Sequence, residues 1–181
     1  MKKILIIIVL LIIATAVFFV LNNKQEPMNT NQNVTPTVSQ EEEVTKTTKL
    51  SVELPDGWEK VAGSVLEHQY MKNTASFMIK NENFSTTNLS EITSKAISSF
   101  QGAFDDVTLV EDVSDTKVGG YDAKEFTFTA KVSTLSMKYR YIYTVVAGQV
   151  YAITFGDMES TFNNYNNDYQ DILGGITFVE K

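Results

Sequence analysis

A single histidine, His68, is the only imidazole in the chain, and cysteine is absent altogether. Thiol catalysis, disulfides, cysteine-held metals and lipid attachment through an N-terminal cysteine are therefore excluded, and a histidine-built metal site is not available. Ser64 is the nearest hydroxyl with a nucleophile-like setting, but Ala62-Gly63-Ser64-Val65 lacks the second glycine of a nucleophile elbow. His68 shares the alternating face of Leu66 and Tyr70, so a hydrogen-bonded packing histidine is expected. The acids are densest at Asp105-Asp106 and Glu111-Asp112-Val113-Ser114-Asp115. They do not follow the spaced Asp-x-Asp-x-Asp-Gly calcium pattern, so solvated loop charges are expected, with weak cation binding as the alternative. Glu67, Glu82 and Glu125 are the carboxylates a hydrolase would draw on, and such a pair needs a shared cleft.

Aromatic residues supply the other recognition chemistry. Tyr139, Arg140, Tyr141 and Tyr143 form the densest aromatic and guanidinium group, and Trp58 follows the turn Pro55-Asp56-Gly57. On an open sheet face these five would make a partner-binding surface. The competing expectation has the tyrosines covered by a helix and Trp58 plugging one end of the core.

Period-two alternation marks the strands that carry them. Glu125 to Val132, Met137 to Val146 and Val150 to Phe155 form a meander, with Ala147-Gly148 as a tight turn. Apolar residues on both faces place the second of these strands centrally. Leu50 to Leu54, Val65 to Met71, Ala75 to Lys80, Val107 to Val113 and Ile176 to Val179 are the remaining strands. Leu89, Ile92, Ala96, Phe100 and Phe104 lie on one stripe of a helix capped by Asn88 or Ser90. Met158, Phe162, Tyr165, Tyr169 and Ile172 mark a second helix, stopped at Gly174-Gly175 with its asparagines facing solvent. The fold class expected is α+β, an antiparallel sheet flanked by two main helices.

Residues 49–181 carry this domain. Before it, Met1-Lys2-Lys3 precede an unbroken apolar run from Ile4 to Leu21, whose 18 residues would span about 27 Å as a helix, close to a bilayer's hydrocarbon thickness. Residues 1–21 are thus expected to be a transmembrane anchor, with the lysines inside and the domain outside the cytoplasm. The small-x-small pattern Ala14-Thr15-Ala16 keeps open the alternative of signal cleavage and secretion. Residues 22–48 have no apolar period and hold Pro27 and Pro36, the composition of a disordered tether. Beyond residue 21 there are 13 bases against 22 acids, a net of −9. Such a surface repels nucleic acid, so no nucleic-acid partner is expected.

Leu54-Pro55-Asp56-Gly57-Trp58, Gly119-Gly120-Tyr121-Asp122-Ala123 and Gly148-Gln149-Val150-Tyr151-Ala152-Ile153, in this order of elements, resemble the PsbP-like (Mog1/PsbP/DcrB-type) domains of secreted and membrane-anchored bacterial proteins. The resemblance spans the globular part and implies a PsbP-like α/β/α sandwich, and members that mostly serve as binding or assembly modules. Its photosystem members bind partner subunits and affect calcium and chloride retention, but no metal-ligand motif carries over to this chain. The resemblance therefore implies a non-catalytic module with an envelope protein partner and no cofactor. The alternatives are a small-ligand or cation carrier and a hydrolase of envelope material.

Overall fold

The computed structural model describes residues 48–180, so the expected anchor at residues 1–21 and nearly all of the expected tether at residues 22–48 lie outside the described residues. The elements are β1 (Thr48–Val52), β2 (Glu59–Lys60), β3 (His68–Lys72), β4 (Ala75–Glu82), α1 (Leu89–Ala103), β5 (Asp105–Val118), β6 (Tyr121–Val132), β7 (Leu135–Val146), β8 (Gln149–Met158), a 3-10 turn (Phe162–Tyr165), α2 (Asn166–Gly174) and β9 (Ile176–Glu180). Seven strands form one sheet in the order β2-β3-β4-β8-β7-β6-β5, while β1 and β9 pair in a separate two-stranded ribbon. Every neighbouring pair is antiparallel. This is the α+β arrangement expected, with one helix on each face.

The two faces of β7 explain the layering. Met137, Tyr139, Tyr141 and Tyr143 share a core with Ile92, Ala96 and Phe100 of α1. Ile142 and Val146, at the intervening positions, share the opposite core with Trp58, Tyr169, Ile172 and the β9 residue Ile176. A strand buried on both sides is apolar at successive positions, and the Tyr141 to Val146 run shows this. The Asn88 side chain accepts hydrogen bonds from the backbone N–H groups of Ser90 and Glu91, which fixes where α1 begins.

Three boundaries differ from the sequence expectation. The stretch Val65 to Glu67 is a loop, because Ser64 Oγ accepts from Leu66 N at 3.0 Å and bends the chain before β3 starts. Polar Ser114 to Lys117 belongs to β5, which runs on to Val118 paired with the start of β6. Register shifts near Glu111 and Ser114 break its alternation, so no period-two signal marked it. Met158 ends β8 and does not open α2. The Asp157 carboxylate, fully buried, accepts from Met158 N and from Thr161 Oγ1, both at 2.7 Å, and makes the turn that separates strand from helix.

Candidate functional site

Trp58 sits at the junction of β2 and α2, 7% exposed, between Phe77, Tyr165 and Tyr169. Its indole N–H donates to Asp168 Oδ2 at 2.9 Å, and Lys72 Nζ donates to the same oxygen at 2.7 Å. Desolvation raises the Asp168 pKa, but the hydrogen bonds from Lys72 and Trp58 and the Lys72 charge outweigh it, and the carboxyl lies below its usual range. The group ties α2 to the β3 edge. Trp58 is a core residue here and offers no stacking surface.

The three tyrosines are likewise inside. Tyr139, Tyr141 and Tyr143 are 2%, 3% and 0% exposed. Phe100 of α1 stands 4.6 Å from the Tyr141 ring and Phe104 stacks on Tyr139. The open aromatic face expected from the sequence is thus absent at these positions, because α1 covers it. Arg140 alone of that group points the other way, and its Nε donates to Glu125 Oε2 at 2.8 Å. Thr127 beside it donates to Glu111 Oε2 at 2.7 Å. A cavity of about 540 Å³ beside Arg140 is lined also by Gln170, Leu173 and Thr177.

The candidate carboxylates do not converge. Glu82 lies on the α1 face of the sheet, 2.7 Å from Lys80 Nζ, while Glu125 lies on the opposite face. Asp115 pairs with Lys124 at 2.6 Å, and Asp106 pairs with Lys131. Among the described residues no group of three or more His, Asp or Glu side chains is placed to hold a metal ion.

A second cavity, of the same volume as the one beside Arg140, is at the other edge. It measures about 540 Å³ and lies between β1, the loop before β3 and the β3–β4 edge, lined among others by Leu50, Leu66, Glu67, His68, Ile79 and Tyr151. Val65 stands on it, 99% exposed. His68 is within 3.4 Å of the Tyr70 hydroxyl and 3.9 Å of Glu67. Desolvation lowers the His68 pKa, opposed by Glu67 and assisted by Lys60, so the ring is neutral at neutral pH. Ser64 is committed to the loop through Leu66 and Gln69. The lining offers a mixed apolar floor with scattered hydrogen-bonding groups. Residue types had singled out His68, but nothing in the sequence marked Val65, whose exposure follows from the loop.

No family model matches the chain, and no curated protein matches it either. Solved structures do. LpqN of Mycobacterium tuberculosis, described as involved in cell envelope biogenesis, superimposes with a TM-score of 0.59 at 10% identity, over 74% of this chain and 85% of its own. Cyanobacterial PsbP of Synechocystis sp. PCC 6803 gives 0.50 at 9% identity, over 85% of this chain and 100% of its own. The fold is PsbP-like. A Pseudomonas aeruginosa protein of unknown function, PA94, described as a putative regulator, gives 0.50 at 10% identity over 69% of this chain and 78% of its own. At these identities the PsbP-like domain shares a backbone plan with its neighbours, and its surface residues must be read on their own.

Proposed function

We propose that the chain is an extracytoplasmic, membrane-anchored binding or assembly module of the cell envelope, and not an enzyme. In this reading Ile4 to Leu21 hold it in the cytoplasmic membrane and residues 22–48 space the domain from the bilayer. The observation that carries the binding role is the 540 Å³ cavity with the fully exposed Val65 on it. A concavity that joins an apolar floor to hydrogen-bonding groups has the make-up of a surface that a partner covers. The involvement of LpqN in cell envelope biogenesis supports the location. A small-ligand carrier is the second reading, favoured by the same cavity, whose volume lies in the range of about 300–1,000 Å³ usual for ligand pockets.

The chain's lack of cysteine makes the test clean. Val65→Cys and, as control on the exposed side of α1, Lys95→Cys are each treated with a membrane-impermeant maleimide in intact cells. Both are expected to label without breaking the cells, Val65→Cys more slowly than Lys95→Cys, with the difference gone in purified protein. Labelling only after lysis would contradict the location. Equal rates in cells and in purified protein would contradict an occupied site.

A further inference from the structure

The strand edges of this domain differ in what they will accept. β5, the outer strand of the large sheet, is broken by register shifts and carries Asp105, Asp106, Asp112 and Asp115, which discourage pairing with a further strand. β2, at the opposite edge, has two residues, Glu59 and Lys60. β1 is different. β9 occupies one of its sides. The His68 cavity lies along the other, bordered by the successive residues Thr48, Lys49 and Leu50 and by no described residue of β9. The hydrogen-bond phase of the ribbon shows where the β1 backbone points. Glu53 N–H donates to Gly175 O at 3.0 Å, one step past the register pair Val52 and Ile176. Bonded and non-bonded pairs alternate along an antiparallel ladder. Ser51 and Lys49 therefore bond to β9, while the N–H and C=O groups of Leu50 and Thr48 turn away from it, toward the cavity. Among the described residues no other backbone group meets them.

Backbone donors and acceptors at a two-residue spacing are answered by another strand, and the walls of the cavity say what kind. Leu50 packs on the core that holds Trp58. A residue set opposite it points to the same side, toward Leu66, Ile79 and Tyr151. That residue must be apolar, and its two neighbours point outward and can be polar. A strand residue fills about 160 Å³, from a rise of about 3.3 Å, a strand spacing of about 4.8 Å and a layer spacing of about 10 Å. The cavity of about 540 Å³ thus takes about three residues. It admits a single extended segment and not the folded edge of a second domain. The chain's own tether is a poor occupant. A hairpin back onto β1 through a loop of two, three or four residues would set Glu43, Glu42 or Glu41 opposite Leu50. Burying an unpaired carboxylate against that floor is costly.

We propose that the free edge of β1 takes up a short extended segment of a partner protein as an added strand, with an apolar residue opposite Leu50 and polar residues on either side. The Leu50 N–H donates to the segment and its C=O accepts from it. Val65, exposed at the rim, gives the segment a further apolar contact. This rests on the binding role proposed for the cavity and names the class of partner it takes.

The test selects a phage-displayed library of random twelve-residue peptides on the full-length protein in detergent, with the Val65→Asp protein as counter-target. Enriched peptides are synthesised, and amide exchange and chemical shifts of the protein are followed by NMR. Before any peptide is added, the Lys49 and Ser51 amides should exchange about tenfold or more slower than the Leu50 amide. A bound peptide should slow Leu50 exchange by about tenfold or more, and an N-methyl group walked along its backbone should abolish that effect at one position. Val65→Asp should weaken the binding by about tenfold. Slow exchange at Leu50 in the free protein, or a library that yields no enriched peptide, overturns the proposal. Peptides that shift the Val65 and His68 signals without slowing Leu50 exchange overturn strand addition and leave the cavity's binding role standing. That role falls separately, if Val65→Cys labels equally fast in cells and in purified protein.

Discussion

Asp168 shows how one carboxylate can hold two layers together. It accepts from both Trp58 and Lys72, and its lowered pKa is the record of those bonds. A carboxyl held below its unfolded value contributes stability that is complete above the unfolded pKa, near 4, and is lost as pH falls through the folded value. His68 works in the same direction. Its lowered pKa means the unfolded chain takes up a proton first, so stability declines as pH drops below about 6.5. We expect denaturant midpoints to fall between pH 7 and pH 5 through His68 and again below about pH 4 through Asp168. His68→Gln should flatten the first step and Asp168→Asn the second. A Trp58→Phe change keeps an aromatic plug but removes the N–H donor, at an expected cost of about 2 kcal/mol by chemical denaturation. The sequence carried the role of Trp58 as a core plug, since a tryptophan directly after a Pro-Asp-Gly turn has few other ways to be buried. It carried nothing of Asp168 as its partner, because 110 residues separate them and only the α2 docking brings them together.

At the scale of elements, the turns and close approaches set the limits. The β7–β8 turn uses Ala147 at φ 50° and Gly148 at φ 78°. A two-residue turn of this hand asks for positive φ at both positions, and alanine accepts it under strain. Ala147→Gly should therefore raise stability by up to about 1 kcal/mol in thermal or denaturant unfolding, an uncommon direction for a glycine substitution. Gly156 is the opposite case. A Cβ there would lie 2.8 Å from the Tyr139 ring and 3.2 Å from Ser76 Oγ. Gly156→Ala should cost about 1–3 kcal/mol, as overpacking does, and unfolding of the purified protein measures it. The meander, the interior place of β7 (with β8 at the centre of the seven strands) and both helices were legible from period and turn chemistry. Two kinds of element were not. The bulged edge strand β5 hides its pairing because each register shift turns its side chains to the other face. The β1–β9 ribbon joins the two ends of the domain, and pairing at that distance leaves no local pattern, although the separate strands were visible.

For the molecule as a whole, the same division decides what function could be inferred. Four of the five residues chosen as a recognition surface are aromatic, and size and hydrophobicity drew them into the two cores. Only Arg140 remained near solvent. A run such as Tyr139-Arg140-Tyr141-Ile142-Tyr143 fits an exposed aromatic face and a helix-covered one equally, because period two says that the faces differ and not which is covered. The concavity that replaces them is assembled from β1, a loop and the β3–β4 edge, none of which carries a motif. The central claim is that this cavity binds an envelope partner while the domain stands outside the membrane. Position-resolved photo-crosslinking of the full-length chain in intact cells tests it most directly. A crosslinking residue is placed at Val65, Glu67 or Asn81 around the cavity, and at Lys95 on α1 as control. The expected result is one reproducible adduct from the cavity positions and not from Lys95, lost when residues 1–21 are deleted. Adducts of the same kind from all four positions, or none from the cavity, would contradict the account.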